Sequence, residues 1–297
     1  VFLGVMLGLA TSLGFAFARN YFDHTVKSPD EIENKGISVL SWIPAIDELK
    51  GGGQSEFIVA NKPKSPASEA FKALRTRLQY AKLEETPIKT ILLTSSVPSE
   101  GKTTISLNVA GSLAQMDKKV LLLDCDLRKP RIHNVFETDR YPGLSDYLFS
   151  NASLEEITRK TKLDNLSVIT SGTIPPNPSE LLASKQMKEF LEKMKGIYDF
   201  IVIDSPPYIS VTDAEILFRI TDGTILVLRA GKTPADAFFR TCEKLMKLDS
   251  HNFLGVVFNN FSYKSAYGYY YNYYYYYSKP EEKTKSNGVK ISSDTRN

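Results

Sequence analysis

Two cysteines in 297 residues, Cys125 and Cys242, cannot build a disulfide framework and suit a reducing compartment. The three histidines, His24, His133 and His251, are too scattered to argue for a structural zinc site. A strong charge imbalance is also missing. Lys and Arg number 37 against 34 Asp and Glu, and a net charge of +3 gives no case for nucleic acid as a partner. What remains is ordinary for a globular chain, 42% hydrophobic and 24% charged. The length allows one large α/β domain with tails or two modest domains. Tyrosine is the anomaly: of 16, ten fall between Tyr263 and Tyr277.

The most informative stretch is Ser95-Ser96-Val97-Pro98-Ser99-Glu100-Gly101-Lys102-Thr103-Thr104. It follows an apolar run, Thr90 to Thr94, and precedes a helix-like segment, Ile105 to Met116. A buried strand, a loop ending Gly-Lys-Thr and a helix form the layout of a phosphate-binding P-loop. Backbone N–H groups can curl around phosphate oxygens only where no side chain intrudes, which places Gly101 at the tight point. Lys102 supplies a charge for the β/γ-phosphates, and the Thr103 hydroxyl is placed for Mg²⁺. The helix aims its N-terminal dipole at the same anion. Ser96 stands where the usual pattern has its first Gly.

Val1 to Ala18 carry no charge, and 18 helical residues reach about 27 Å. That is close to the roughly 30 Å of a bilayer's hydrocarbon core, so 1–18 is expected to be a membrane helix. The chain does not begin with Met, which suggests a start inside that helix. A basic start and a small-residue cleavage site, the marks of a signal peptide, are not visible. Mixed flanking charges orient the helix only weakly; cytoplasmic ATP places the P-loop side better. Residues 19–65 read as a juxtamembrane segment and linker. It holds a short helix from Asp30, a strand over 37–40 stopped near Pro44, and a flexible Gly51–Ser55 stretch. The domain boundary is expected at residues 65–66.

From there, Ser68 to Lys82 predicts an amphipathic helix with Phe71, Leu74, Leu78 and Ala81 on its apolar stripe. Glu69, Lys72 and Arg75 recur every three residues on another face, as a solvated charged face or as a subunit contact. Further apolar runs at 120–124, 166–170, 200–204, 223–229 and 253–259 alternate with helical patterns. The fold class is therefore α/β, a doubly wound, mostly parallel sheet over 66–262. Residues 278–297 are polar and lack aromatics, so they read as a disordered tail.

Asp124, Asp126 and Asp204 stand at strand ends beside the P-loop. Three strand-end acids with a P-loop upstream suggest a Mg²⁺–nucleotide site, because a hard cation takes carboxylate and hydroxyl oxygens. Arg128, Lys129 and Arg131 follow as a basic turn, near the phosphates or holding an acidic partner.

The run Val120-Leu121-Leu122-Leu123-Asp124-Cys125-Asp126-Leu127-Arg128 resembles the Walker A′ motif of the bacterial tyrosine kinases, the cytoplasmic halves of the capsular and exopolysaccharide co-polymerase family. Ser96–Thr103 matches its Walker A, Phe200–Pro207 its Walker B, and Glu69/Lys72/Arg75 its E-x-x-R-x-x-R oligomerisation motif, with Lys72 departing from Arg. Lys cannot make a bidentate pair. The resemblance covers residues 1–277. It implies a P-loop NTPase fold and an ATP-dependent, Mg²⁺-requiring autokinase acting between subunits. Its acceptors would be the clustered Tyr263, Tyr267, Tyr269, Tyr270, Tyr271, Tyr273, Tyr274, Tyr275, Tyr276 and Tyr277.

On that resemblance, Lys102, Asp124, Asp126 and Asp204 are the catalytic group, and Asp124 accepts the phenol proton. Ser96, Ser99, Glu100, Gly101, Lys102, Thr103, Thr104 and Asn259 bind nucleotide: Thr104 at the α-phosphate, Asn259 and the 175–179 loop near adenine. Thr103, Asp126 and Asp204 hold the metal. The resemblance further implies a ring-shaped homo-oligomer at the bacterial inner membrane with its kinase domain cytoplasmic. Its partners would be the polysaccharide polymerisation and export machinery and a tyrosine phosphatase. A Min/Par-type ATPase would carry an extra lysine early in the loop, and Ser95 to Glu100 hold none. A non-catalytic scaffold for polysaccharide chain length would not need Lys102 and the three acids intact.

Overall fold

The alternating apolar runs pair into one eight-stranded sheet in the computed structural model, which describes residues 2–21, 23–46, 52–81 and 87–261. The strands are β1 Val39–Pro44, β2 Thr90–Ser95, β3 Val120–Asp124, β4 Thr158–Lys160, β5 Leu166–Ile169, β6 Phe200–Asp204, β7 Gly223–Arg229 and β8 Phe253–Phe261. Their order is β1-β8-β7-β2-β6-β3-β5-β4. Only β4 runs antiparallel, against β5. This is the expected doubly wound P-loop NTPase fold. Every residue of β2 and β3 is buried, and strands covered on both faces must be apolar throughout. That is why these two were readable as continuous runs. The three residues of β4, Thr-Arg-Lys, carry no such signal and were not expected.

β2 lies between β6 and β7, and β6 lies between β2 and β3. The register sets Asp124 beside Asp204. The P-loop and the strand-end acids therefore share the C-terminal edge of three adjacent strands, where open α/β sheets bind ligands.

The boundary expected at residues 65–66 is not a seam. β1 is part of the same sheet, pairing with β8 from Val39↔Val256 to Pro44↔Phe261. It is an edge strand, which is where a Pro is tolerated, and it runs over 39–44 rather than 37–40. The expected linker likewise folds inward. Gly53–Glu56 is a short 3-10 turn and Ile58–Asn61 a helical turn. Phe57, Ile58 and Val59 are buried. Apolar residues flanking a glycine run turned it into a packed strap. Further upstream, Val26 N–H donates to Thr233 O (3.0 Å) and Ala235 N–H to His24 O (2.9 Å), tying 24–26 to the turn after β7.

The strap lies over the P-loop helix, Lys102–Ala114, in which every residue from Thr103 on is buried. At Gly111 a Cβ would meet Val59 Cγ2 at 2.7 Å, so the close approach of strap and helix requires glycine there. The next helix outward is Pro66–Tyr80. Ser65 caps it by accepting from Ser68 N–H at 3.2 Å, and Pro66 opens it. Phe71, Leu74 and Leu78 form its buried stripe. Ala81, placed on that stripe from the sequence, falls past the helix end and is exposed.

At the N-terminus Phe2–Tyr21 is helical, and residues 2–15 are exposed. Among the described residues, no helix is long and apolar enough to cross a membrane. The chain divides into two compact units, Val1–Phe261 and Ser262–Asn297. The second, with the tyrosine cluster and the expected disordered tail, lies outside the described residues.

Candidate active site

Gly101 has φ +93°, a left-handed conformation, and turns the chain from loop into helix. No side chain caps that helix. Among the described residues, the N–H groups of Lys102, Thr103 and Thr104 donate to no acceptor. Such an end presents free donors and a positive dipole to an anion. A Cβ on Gly101 would collide with Asn259 Nδ2, a second reason for glycine. Ser99 is also left-handed, at φ +67°.

The acids come together as expected. Lys102 Nζ lies 2.9 Å from Asp126 Oδ2 and 3.9 Å from Asp204 Oδ2. Asp204 also accepts from Thr103 Oγ1 (2.7 Å) and from Ser106 Oγ (3.0 Å). Asp124 accepts from the N–H groups of Asp126 (3.2 Å) and Ile132 (3.3 Å). All three carboxylates are buried. Burial pushes Asp124 well above the usual carboxylate range, and the charges of Asp204 and Asp126 push it further. Burial also raises Asp204, against the opposing pull of Lys102 and Thr103. For Lys102, burial favours the neutral amine, but Asp204 and Asp126 outweigh it and its pKa is raised. The ammonium stays charged, and the cluster carries more acid than base. Excess negative charge among buried oxygens suits a cation.

The donor set fits Mg²⁺ bound together with a phosphate ligand. Thr103 and Asp204 offer a hydroxyl and a carboxylate within 2.7 Å of each other. Among the described residues, no group of three or more His, Cys, Asp or Glu is spaced to hold a metal alone. Mg²⁺ characteristically takes one or two carboxylates and completes its shell from water and substrate phosphates.

Several residues expected to bind nucleotide engage groups of the chain itself. Glu100, taken as a nucleotide contact, turns inward and is 1% exposed. Its carboxylate accepts from Val97 N–H (2.8 Å) and from the Thr233 hydroxyl. Ser96 is fully buried, with its Oγ unpartnered among the described residues. Thr104, assigned to an α-phosphate, donates instead to Glu56 Oε2 at 2.7 Å. Asn259 donates to the Glu100 carbonyl at 2.8 Å, bracing the loop. Asp124, the expected proton acceptor, has no exposed surface. The basic turn holds acids of its own chain. Arg128 grips the buried Asp213 at 2.9 and 3.0 Å, and Arg131 grips Glu56 at 2.7 Å. The 175–179 loop joins the first of these pairs through Ser179.

An open cavity of about 440 Å³ adjoins the loop, lined by Ile46, Glu56, Ser99, Gly101, Thr104, Arg229 and Asn259 among others. None of 175–179 lines it. The sequence reading missed Glu56, Thr233 and Asp213. Nothing local marks them, since each acts on a partner 34 to 133 residues away. On the helix face of Glu69, Lys72 and Arg75, expected from the sequence as a subunit contact, Glu69 and Lys72 pair at 2.7 Å, both part-exposed. Arg75 bends back to Ser112 O at 2.9 Å.

A family model described as an AAA domain matches residues 88–247. Tyrosine-protein kinase YwqD of Bacillus subtilis is 40% identical over 219 residues, covering 73% of this chain and 92% of that protein. Tyrosine-protein kinase Etk of Escherichia coli is 34% identical over 286 residues, covering 91% of this chain but only 39% of that protein. The solved kinase domain of Escherichia coli tyrosine kinase Etk has a TM-score of 0.75 at 33% identity, over 81% of this chain and 97% of that one.

Proposed function

Since this chain belongs to the bacterial tyrosine-protein kinase family, we propose that it transfers the γ-phosphoryl group of ATP to tyrosines of its own 263–277 cluster, between neighbouring subunits. The observation that carries this reading is the buried Lys102–Asp126–Asp204 cluster at the mouth of the uncapped P-loop helix. The free N–H groups of Lys102 to Thr104 receive the phosphates, and Lys102 moves from its carboxylate partners to the β/γ oxygens. Thr103 and Asp204 would hold Mg²⁺, with Asp126 in support. When bound, the ion would supply positive charge against the phosphates. The cavity beside Ser99, Gly101 and Asn259 takes the nucleoside.

Phosphoryl transfer depends mainly on in-line positioning and charge neutralisation. The phenol oxygen forms the new P–O bond as the β–γ bridge breaks, and ADP leaves with the bridging oxygen. The phenol proton passes to a carboxylate of the cluster. Asp126 is 4% exposed against 0% for Asp124, which favours Asp126 as acceptor and leaves Asp124 to hold the turn that carries it. The tyrosine cluster keeps several acceptors at high effective concentration near a neighbouring site. Each phosphate adds about −1.5 to −2 charges, so repeated transfer loosens a ring built through the Glu69, Lys72 and Arg75 face.

On this reading the kinase works at the cytoplasmic face of the bacterial inner membrane. There it regulates polysaccharide polymerisation and export, and a tyrosine phosphatase resets it. The test is incubation with ATP and Mg²⁺ followed by mass spectrometry of the 263–277 peptide. Phosphotyrosine in the wild type and none in Lys102→Met is expected. An unmodified peptide in both overturns the reading.

A further inference from the structure

Glu100 is a buried acid that the transfer chemistry does not use. It sits between two left-handed residues, Ser99 and Gly101. Such conformations persist only where the surroundings fix them. Three contacts do so. One Glu100 carboxylate oxygen accepts from Val97 N–H (2.8 Å), which closes the loop on itself. The other accepts from the Thr233 hydroxyl, and the Glu100 carbonyl accepts from Asn259 Nδ2. Thr233 is wholly buried and is itself held on three sides. Its Oγ1 accepts from Arg229 N–H (2.8 Å), its N–H donates to Arg229 O (3.1 Å), and its carbonyl accepts from Val26 N–H (3.0 Å).

We propose that Thr233 is a positioning residue for nucleotide binding: through its hydroxyl bond to Glu100 it holds the P-loop backbone in the curve that cradles phosphate. Neither side chain touches the nucleotide. Glu100 is the strut, and Thr233 fixes the strut to the turn after β7. The hydroxyl is needed because it does two jobs at once, accepting from the backbone of its own turn and donating across to the loop. Serine can do both and valine neither. Glutamine at 100 offers a single oxygen where the carboxylate uses two, so either Val97 or Thr233 loses its acceptor. Leaving a buried donor or acceptor without its partner is costly, so the loop loses a principal restraint in either variant.

The inference rests on nucleotide binding at the P-loop, and wild-type affinity tests that premise separately. Direct titration of the full chain with a non-hydrolysable ATP analogue and Mg²⁺ is the experiment. Thr233→Val and Glu100→Gln are each expected to weaken binding about tenfold, and Thr233→Ser to bind like the wild type. The double variant should bind no more weakly than the weaker single, because both changes cut the same strut. Wild-type affinity in folded Thr233→Val, equal losses in Thr233→Ser and Thr233→Val, or additive losses in the double variant would overturn the proposal. Should Thr233→Val not fold, Glu100→Gln decides: about tenfold weaker binding upholds the strut, and unchanged binding removes it. No binding by the wild type would instead fail the premise.

Discussion

The two flanks of the P-loop are built from opposite materials. Toward β6 and β3 stand three buried carboxylates around one ammonium, with charge left uncompensated. Toward β7 and β8 stand Thr233 and Asn259, neutral side chains that satisfy one buried glutamate and its carbonyl. The first flank is poor for stability, since buried like charges repel and desolvation is costly. It suits a cation and a transferring phosphoryl group. The second flank is dense in hydrogen bonds. On the proposed function, one flank would perform chemistry at the expense of stability, and the other would hold the shape that the chemistry needs.

Neutralising the first flank should give the largest effect. Asp204→Asn removes a carboxylate beside Thr103 and Lys102, and transfer is expected to fall about 100-fold. Its thermal midpoint should not fall, because one buried repulsion is relieved. A marked loss of stability in calorimetry would break the contrast.

Next comes Gly101→Ala. The left-handed φ and the collision with Asn259 together should weaken ATP binding about 30-fold, since αL strain alone is worth about 1–2 kcal/mol. Pairing it with Asn259→Ala removes the collision but not the strain, so isothermal titration should show only partial recovery.

The pH dependence of stability is smaller. Burial pushes the Glu100 carboxyl up to about 7, with the hydrogen bonds from Thr233 and Val97 opposing. Between the ordinary carboxylate range and pH 7 the folded chain holds a proton that the unfolded chain releases. On this group's account, stability therefore falls as pH rises through that window, on the order of 2 kcal/mol. Urea midpoints at pH 5 and pH 7.5 should differ less in Glu100→Gln than in the wild type.

The smallest effect belongs to the solvated helix face. Replacing both Glu69 and Lys72 by Ala should alter monomer stability by less than about 0.5 kcal/mol, as for exposed i,i+3 pairs. A change in sedimentation would show that this face has a partner.

The two flanks also differ in how far the sequence revealed them. Asp124, Asp126 and Asp204 end apolar runs, so strand patterning alone placed them at one edge, and the Gly-Lys-Thr run placed the loop beside them. The six parallel strands read from apolar runs were legible for the same reason. Glu56, Thr233 and Asn259 act across 48 to 159 residues, where neither periodicity nor spacing carries information. The Glu100 side chain faces the protein because Val97 and Thr233 supply its donors, which its place in the motif does not indicate. The flexible stretch expected at Gly51–Ser55 leads into packed residues for a similar reason. The glycines suggested flexibility, and the burial of Phe57 and Val59 against the P-loop helix depends on Gly111, some 50 residues on.

The division of labour is tested most directly by measuring two quantities, the transfer rate at saturating ATP and the KM for ATP, in Asp204→Asn and Asn259→Ala side by side. Asp204→Asn should lose the rate about 100-fold. Asn259→Ala should raise KM about fivefold, as for one hydrogen bond of about 1 kcal/mol, with its saturated rate near the wild type. If Asn259→Ala loses the saturated rate as Asp204→Asn does, the two flanks do not divide binding from chemistry and the account is wrong.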